Sequence, residues 1–313
     1  MYRYTAYGLD IASELELPEL VAAADSFDAA DADVRIRLGE TPETLDAPAE
    51  SRVVWSARPG EWLHTVPGIA RYYIHDEGRE VVIERRGGTD VDLRAFFFGT
   101  TLGALLHQRG LFALHASAVA IPGAGAVAIA GTSGSGKSTV LTALVRRGHN
   151  VLSEDKTVVR FADDGPEVLS GHPTLCLWRD AVMRIGEDPD ALPPLREGME
   201  KFLYRAPTFQ HEPAPLRSIV VLNAKADGSG EVKTEVEVSE ITAHQAIRTV
   251  LRQTYRRLVV NGLGFQGQHF QWSARLADTV PIIKVVRLRH IETVDEIADA
   301  VEAAARSTAE AEV

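Results

Sequence analysis

Ala126-Val-Ala-Ile-Ala130 runs directly into Gly131-Thr132-Ser133-Gly134-Ser135-Gly136-Lys137-Ser138-Thr139. A short apolar run of strand character leads into a glycine-rich turn. A helix predicted from Lys137 to Arg147 leads out of it, closed by Gly148. The turn matches G-x-x-x-x-G-K-[ST], in which consecutive backbone N–H groups form an anion nest at a helix N-terminus. Gly134 and Gly136 keep side chains out of the way of phosphates. Lys137 has the reach for β- and γ-phosphates, and the Ser138 hydroxyl is placed to ligate Mg²⁺. The sequence therefore predicts a site for ATP or a similar nucleotide at Gly131–Thr139, with Mg²⁺, in an α/β fold.

Downstream, His149-Asn-Val-Leu reads as a short strand ending in Ser153-Glu154-Asp155. Ligands gather at the C-terminal ends of strands in open α/β sheets. Two carboxylates there suit two tasks, anchoring the Mg²⁺ that bridges phosphates and orienting or deprotonating a hydroxyl nucleophile. Glu154, Asp155 and Lys137 are the catalytic candidates, and Ser138 with Asp155 the candidate metal ligands. His115 is added because it lies in an apolar run beside the loop strand, where an imidazole near carboxylates can assist proton transfer. Its residue type alone leaves a satisfied core histidine open. Lys201, Arg205 and Arg179 are basic residues that could meet a phosphate or an acidic substrate, or simply lie on the surface.

Other signatures narrow the class. Leu169-Ser-Gly-His is not the transporter-ATPase signature, and Asn223-Ala-Lys-Ala-Asp misses the guanine motif by its Ala before Lys225. The compact order of loop, short helix, strand and acids suits a small kinase core. With 44 acidic against 33 Lys and Arg residues, the net charge of -11 disfavours nucleic acid as a partner. One cysteine, Cys176, excludes an internal disulfide and a Cys-rich metal site. The N-terminus lacks a charged segment followed by an apolar one, so a cytoplasmic location is expected. Leu111–Gly131 is nearly uncharged, but Pro122-Gly-Ala-Gly interrupts it. Two buried strands joined by a turn are predicted there, and no membrane partner.

Along the chain, the first 89 residues read as a small β-rich domain and residues 90–313 as the catalytic domain. Strands are predicted at Tyr2–Leu9, Asp33–Leu38, Arg52–Ala57, Trp62–Val66, Tyr72–His75 and Glu80–Arg85. Helices are predicted at Val91–Gln108, Thr242–Val259 and Thr293–Ala309. Leu216–Asn223, Glu231–Val238 and Ile282–Leu288 read as further strands.

The segments His115-Ala-Ser-Ala-Val, Gly131–Thr139 and Arg147-Gly-His-Asn-Val-Leu-Ser-Glu-Asp together resemble the catalytic domain of HPr kinase/phosphorylase. Gly171-His-Pro-Thr-Leu-Cys-Leu-Trp, Lys201-Phe, Pro215-Leu-Arg-Ser-Ile-Val-Val-Leu and Thr254-Tyr-Arg resemble the wider HPr-kinase-like set. The resemblance runs from about Asp90 to the C-terminus. It implies an α/β P-loop kinase core related to that of phosphoenolpyruvate carboxykinase, and transfer of a γ-phosphoryl group to a serine-type hydroxyl. By position, Glu154 falls on the family's catalytic Asp, Asp155 on its partner, and His115 in support. Glu154 replaces an Asp, the family's Glu-x-Arg-Gly signature is absent, and the front of the chain does not resemble the regulatory domain. A hydroxyl-bearing peptide, protein or small molecule is therefore a better expected acceptor than HPr itself. A non-catalytic nucleotide-sensing module, and a phosphorylase or phosphatase using the same site, are the alternatives. The resemblance leaves a homo-oligomer open.

Overall fold

The computed structural model describes all residues except 25–26, 226–235, 289–292 and 311–313. The chain begins with β1 (Tyr2–Ala6), β2 (Leu9–Ser13), β3 (Val21–Ala22), β4 (Val34–Leu38), β5 (Glu50–Ser51), β6 (Trp55–Arg58), β7 (Glu61–Val66), β8 (Ala70–His75) and β9 (Glu80–Arg85). Next come α1 (Asp90–Phe96), α2 (Leu102–Gln108), β10 (Phe112–Leu114), β11 (Ala116–Ile121), β12 (Gly125–Gly131), α3 (Lys137–Arg146) and β13 (Asn150–Ser153). They are followed by β14 (Thr157–Ala162), β15 (Gly165–Leu169), β16 (Thr174–Trp178), α4 (Arg179–Arg184), β17 (Lys201–Arg205) and β18 (Ala214–Lys225). The chain closes with β19 (Val236–Ile241), α5 (Ala243–Gln253), α6 (Arg257–Leu263), α7 (Gln266–Thr279), β20 (Ile282–Leu288) and α8 (Val294–Glu310). The fold is mixed α/β with several sheets. Among the described residues, no helix is long and apolar enough to cross a membrane.

The chain divides into two compact units. The first comprises Met1–Ala113, Leu195–Met199 and Tyr255–Phe270; the second comprises Leu114–Pro194, Glu200–Thr254 and Gln271–Val313. The division therefore falls after Ala113, not at residue 90 as expected from the sequence. The helical segment after β9 stays with the first unit because it packs there. Leu93, Phe97, Leu102 and Leu105 are all buried, and the Tyr72 hydroxyl donates to the Leu93 carbonyl at 2.9 Å. The strands of the first unit form one sheet in the order β3-β1-β2-β4-β9-β8-β7-β6-β5. The predicted strand Tyr2–Leu9 is a hairpin instead. Tyr7 (φ 56°) and Gly8 (φ 70°) both take the left-handed conformation that a two-residue turn of this kind requires.

Two predicted helices are interrupted. Val91–Gln108 becomes α1 and α2 around a π-helical turn at Phe97–Thr101. There the Gly99 carbonyl accepts a hydrogen bond from the Tyr255 hydroxyl at 2.7 Å. Thr242–Val259 becomes α5 and α6 because Thr254–Arg256 leaves the helix. Tyr255 is buried against Gly103, where an added Cβ would come within 2.2 Å of the ring, and Arg256 turns left-handed at φ 47°. The single predicted strand Glu231–Val238 is seen as β19 from Val236 onward; residues 231–235 lie outside the described residues.

In the second unit a mixed sheet follows the path β14-β15-β18-β12-β11-β13. β20 also pairs with β18, and β19 pairs with β20. The uncharged segment around Pro122 is the antiparallel pair β11–β12, both strands buried, as the turn signal predicts. Val127 and Ile129 of β12 pack with Leu141 and Leu144 of α3 and Ile297 and Val301 of α8 in one apolar cluster. β11 is antiparallel to both β12 and β13, so β12 and β13 run the same way. β18 is parallel to β12, and β20 is parallel to β18. One edge of the sheet therefore gathers the start of β11 and the ends of β12, β13, β18 and β20.

Candidate functional site

At that edge, β12 ends at Gly131 (φ 146°), whose backbone has no room for a side chain. An added Cβ would lie 2.6 Å from the Ser135 Oγ and 2.7 Å from the Leu222 carbonyl oxygen. Gly134 (φ 77°) and Gly136 (φ 102°) are glycine for a different reason: a Cβ would meet open space at Gly134 and only the Arg287 side chain, at 3.5 Å, at Gly136, but the left-handed conformation disfavours a side chain. Gly136 is the N-cap of α3 and makes no side-chain cap, so the first N–H groups of the helix face the loop. Ser135 is buried, and among the described residues its hydroxyl has no hydrogen-bond partner. A cradle of backbone donors at a helix N-terminus has the electrostatics that favour an anion.

Lys137 folds back over the loop. Its Nζ donates to the Gly131 carbonyl at 2.9 Å and lies 3.3 Å from His115 Nε2. An ammonium has only donors, so Nε2 accepts and the imidazole proton sits on Nδ1. Nδ1 is 3.3 Å from Asp155 Oδ1. His115, immediately before β11, is thus a one-third exposed bridge between Lys137 and Asp155 rather than a core histidine. Burial pushes the Lys137 ammonium below its usual range, and the charges of Asp155 and Glu154 oppose that push.

The two carboxylates have different neighbours. Asp155, expected as a metal ligand with Ser138, lies in the cavity wall with its carboxylate against His115 and Lys156, whose Nζ donates to Oδ2 at 2.7 Å. The cause is local: Asp155 takes a left-handed backbone (φ 63°), which turns the chain just after Glu154. The carboxylate beside the loop is Glu154, and the Ser138 hydroxyl donates to its Oε1 at 3.1 Å. Burial first, and the Asp155 charge second, push the Glu154 carboxyl up to about 7. For Asp155, burial also pushes upward. Lys156 and His115 outweigh it and hold the carboxyl well below its usual range. Two adjacent carboxyls are therefore set apart, one ionised throughout the neutral range and one titrating within it.

These groups line a cavity of about 420 Å³ within the second unit. All nine loop positions occupy the turn and first residues of α3 as expected; Ser133, Gly134, Gly136, Lys137, Ser138 and Thr139 form the cavity wall itself. Gly131 and Ser135 are buried and Thr132 is exposed, outside that wall. Of the three basic candidates, only Lys201 reaches the cavity. Arg179 is paired on the surface with Glu200 and Asp190, and Arg205 is not part of the lining. Trp178, Asp180, Arg184 and Arg287 also line it and carry no short-range sequence signal. Trp178 and Lys201 meet only because β16 and β17 pair in register, Trp178 opposite Lys201. Cys176 is half-buried, and burial raises its thiol to about 12, which removes it from nucleophilic or redox chemistry.

The donor set fits Mg²⁺ carried in by phosphates. Ser138 Oγ is a hard oxygen donor in the cavity wall, as is the Asp155 carboxylate, and Mg²⁺ takes one or two protein ligands with the remainder from phosphates and water. Among the described residues there is no cluster of three or more His, Cys, Asp or Glu side chains able to hold a metal unaided.

No family profile and no curated protein matches the chain. Among solved structures, the HPr(Ser) kinase/phosphatase from Coxiella burnetii aligns over 62% of this chain and 94% of its own, at 12% identity and a TM-score of 0.30.

Proposed function

We propose that the chain is an ATP-dependent phosphotransferase that moves the γ-phosphoryl group of a nucleotide to a hydroxyl of a peptide, protein or small molecule. The observation that carries this reading is the convergence on one cavity of the Gly131–Thr139 turn, a buried carboxyl poised near neutral pH and a fixed ionised one. Loop N–H groups and Lys137 hold the phosphates. Ser138, with the phosphates, holds Mg²⁺, which neutralises charge on the transferring group. The acceptor hydroxyl gives its proton to Glu154 as its oxygen forms the new bond to phosphorus. The bond from phosphorus to the β–γ bridging oxygen breaks, and the diphosphate leaves. A general base works best when its pKa lies near the working pH, which favours Glu154 (about 7) over Asp155 for this role. Asp155 keeps His115 oriented, and through it the Lys137 ammonium.

A second reading uses the same site in reverse, as a phosphorylase or phosphatase. It is favoured by the same carboxyl, because a group titrating near 7 can return the proton as readily as take it. Calorimetric titration with ATP and Mg²⁺ tests the shared foundation. Micromolar binding that disappears in Lys137→Ala supports it, and full binding by that variant removes it. Release of phosphate from a phosphoserine peptide, without ADP formation from ATP, would select the reverse reading.

A further inference from the structure

Lys201 is the unusual cation of the cavity. Arg179, the residue after Trp178 and the first of α4, is neutralised: it pairs with Glu200 at 2.6 Å and with Asp190 at 2.9 Å. Glu200, the carboxylate adjacent to Lys201 in sequence, is therefore already engaged. Among the described residues no carboxylate pairs with Lys201, and its ammonium rests on the ring of Trp178, 4.9 Å from Nζ to the centroid. The ring is itself 52% exposed and forms part of the cavity wall. A half-buried ammonium is thus parked on an aromatic face, in a cavity it shares with Lys137. A cation–π interaction of this kind is worth much less than a charge-assisted hydrogen bond to an anion.

The position of Lys201 identifies which anion. Burial depresses Lys137, and the Lys201 charge depresses it further. Lys201, Lys137 and Glu154 line one cavity with Gly134, Gly136 and Ser138 of the loop. A nucleotide on this loop would bring its last phosphate to Lys137, and so into the space that Lys201 also faces. Two ammonium groups facing one another repel until an anion comes between them, and a terminal phosphate carries the most charge of any part of the nucleotide.

Resting on the nucleotide reading of the loop, we propose that Lys201 leaves the Trp178 ring to bind the terminal phosphate of a nucleoside triphosphate, making the site selective for triphosphate over diphosphate. Lys137 and the loop amides serve both nucleotides; Lys201 serves only the longer one.

The experiment compares ATP and ADP binding, each with Mg²⁺, to the full chain and to Lys201→Met and Lys201→Arg. Without its charge-assisted hydrogen bond to the terminal phosphate, Lys201→Met should bind ATP at least about tenfold more weakly. ADP should change by less than about twofold, and Lys201→Arg should restore most of the ATP affinity. The ATP-to-ADP ratio within each variant is the readout, so a partly destabilised variant still gives an answer. Departure of the ammonium should also change tryptophan emission on adding ATP but not ADP, and Trp178→Phe should remove that change. Equal weakening of both nucleotides, or unchanged ATP binding in Lys201→Met, overturns the proposal. The second of these outcomes would move Lys201 to the acceptor side of the cavity. Failure of the unmodified chain to bind either nucleotide would instead defeat the loop reading itself, and Lys201 with it.

Discussion

Replacing Glu154 by Gln should change how stability depends on pH, in a direction fixed by the geometry of the site. Glu154 is 8% exposed and lies against Asp155, and its carboxyl is raised from 4.5 to about 7. The folded protein therefore binds a proton more tightly than the unfolded chain does. The stabilisation is full below about pH 4.5, declines as pH rises, and is gone above about pH 7. At 1.36 kcal/mol per pH unit, the interval from 4.5 to about 7 corresponds to about 3 kcal/mol. Gln keeps the shape and the acceptor for the Ser138 hydroxyl but cannot ionise. Urea denaturation of both proteins at intervals from pH 4.5 to 8.5 gives the difference in unfolding free energy. In that difference, groups that titrate identically in both proteins cancel. Glu154→Gln should gain on the parent by about 2–4 kcal/mol across the interval, with the change centred between pH 5 and 7. A difference that does not vary with pH would refute the account of a buried, charge-opposed carboxyl. Where Glu154 is also the base, the same variant loses about 10²–10⁴-fold in phosphoryl transfer. The activity lost is then greatest at the pH values where stability has been gained.

Asp155→Asn should act in the opposite direction. Asn accepts the left-handed backbone at this position, so the change isolates the charge and takes from Lys156, whose side chain is 4% exposed, the carboxylate its Nζ meets at 2.7 Å. Because Asp155 is itself one-third exposed, the expected loss is about 2–3 kcal/mol, toward the low side of the usual range, and Lys156→Met in the same background should recover much of it. Since the Asp155 carboxyl is depressed, its contribution is present above pH 3.8 and fades only in stronger acid. The variant should thus converge on the parent at low pH in denaturant titrations. Gly131→Ala combines φ 146° with approaches of 2.6 and 2.7 Å, one of them to a backbone oxygen that cannot swing away. A fall of about 2 kcal/mol or more in unfolding free energy is expected, together with loss of ATP binding; unchanged melting would show that β12 and the loop relax more easily than their packing implies.

The chemistry of the loop was legible in the sequence because it depends on neighbours. Glycines at Gly131, Gly134 and Gly136, then Lys137 and Ser138, act through consecutive backbone groups and the first turn of one helix, so their spacing along the chain is their spacing in space. The same locality explains why β12, α3 and β13 could be placed from the pattern, and why Ser153-Glu154-Asp155 could be set at a strand end. Elements interrupted by packing could not be read this way. The break at Thr254–Arg256 depends on Tyr255 finding Gly103, about 150 residues earlier. The hairpin at Tyr7-Gly8 hides a tyrosine in a conformation that residue type does not advertise. Within the site, residue identity supplied two adjacent acids and a histidine but not their roles. The left-handed turn at Asp155 sends one carboxylate to Lys156 and His115 and leaves Glu154 beside Ser138. Pairing of β16 with β17 brings Lys201 onto Trp178 across a separation that no motif spans. By itself, the sequence determined which groups we propose to hold phosphate, because they lie in one contiguous run of backbone. Only the tertiary structure decided which carboxyl titrates near neutral pH and which cations share its cavity, because burial and Coulomb interactions depend on distances through space.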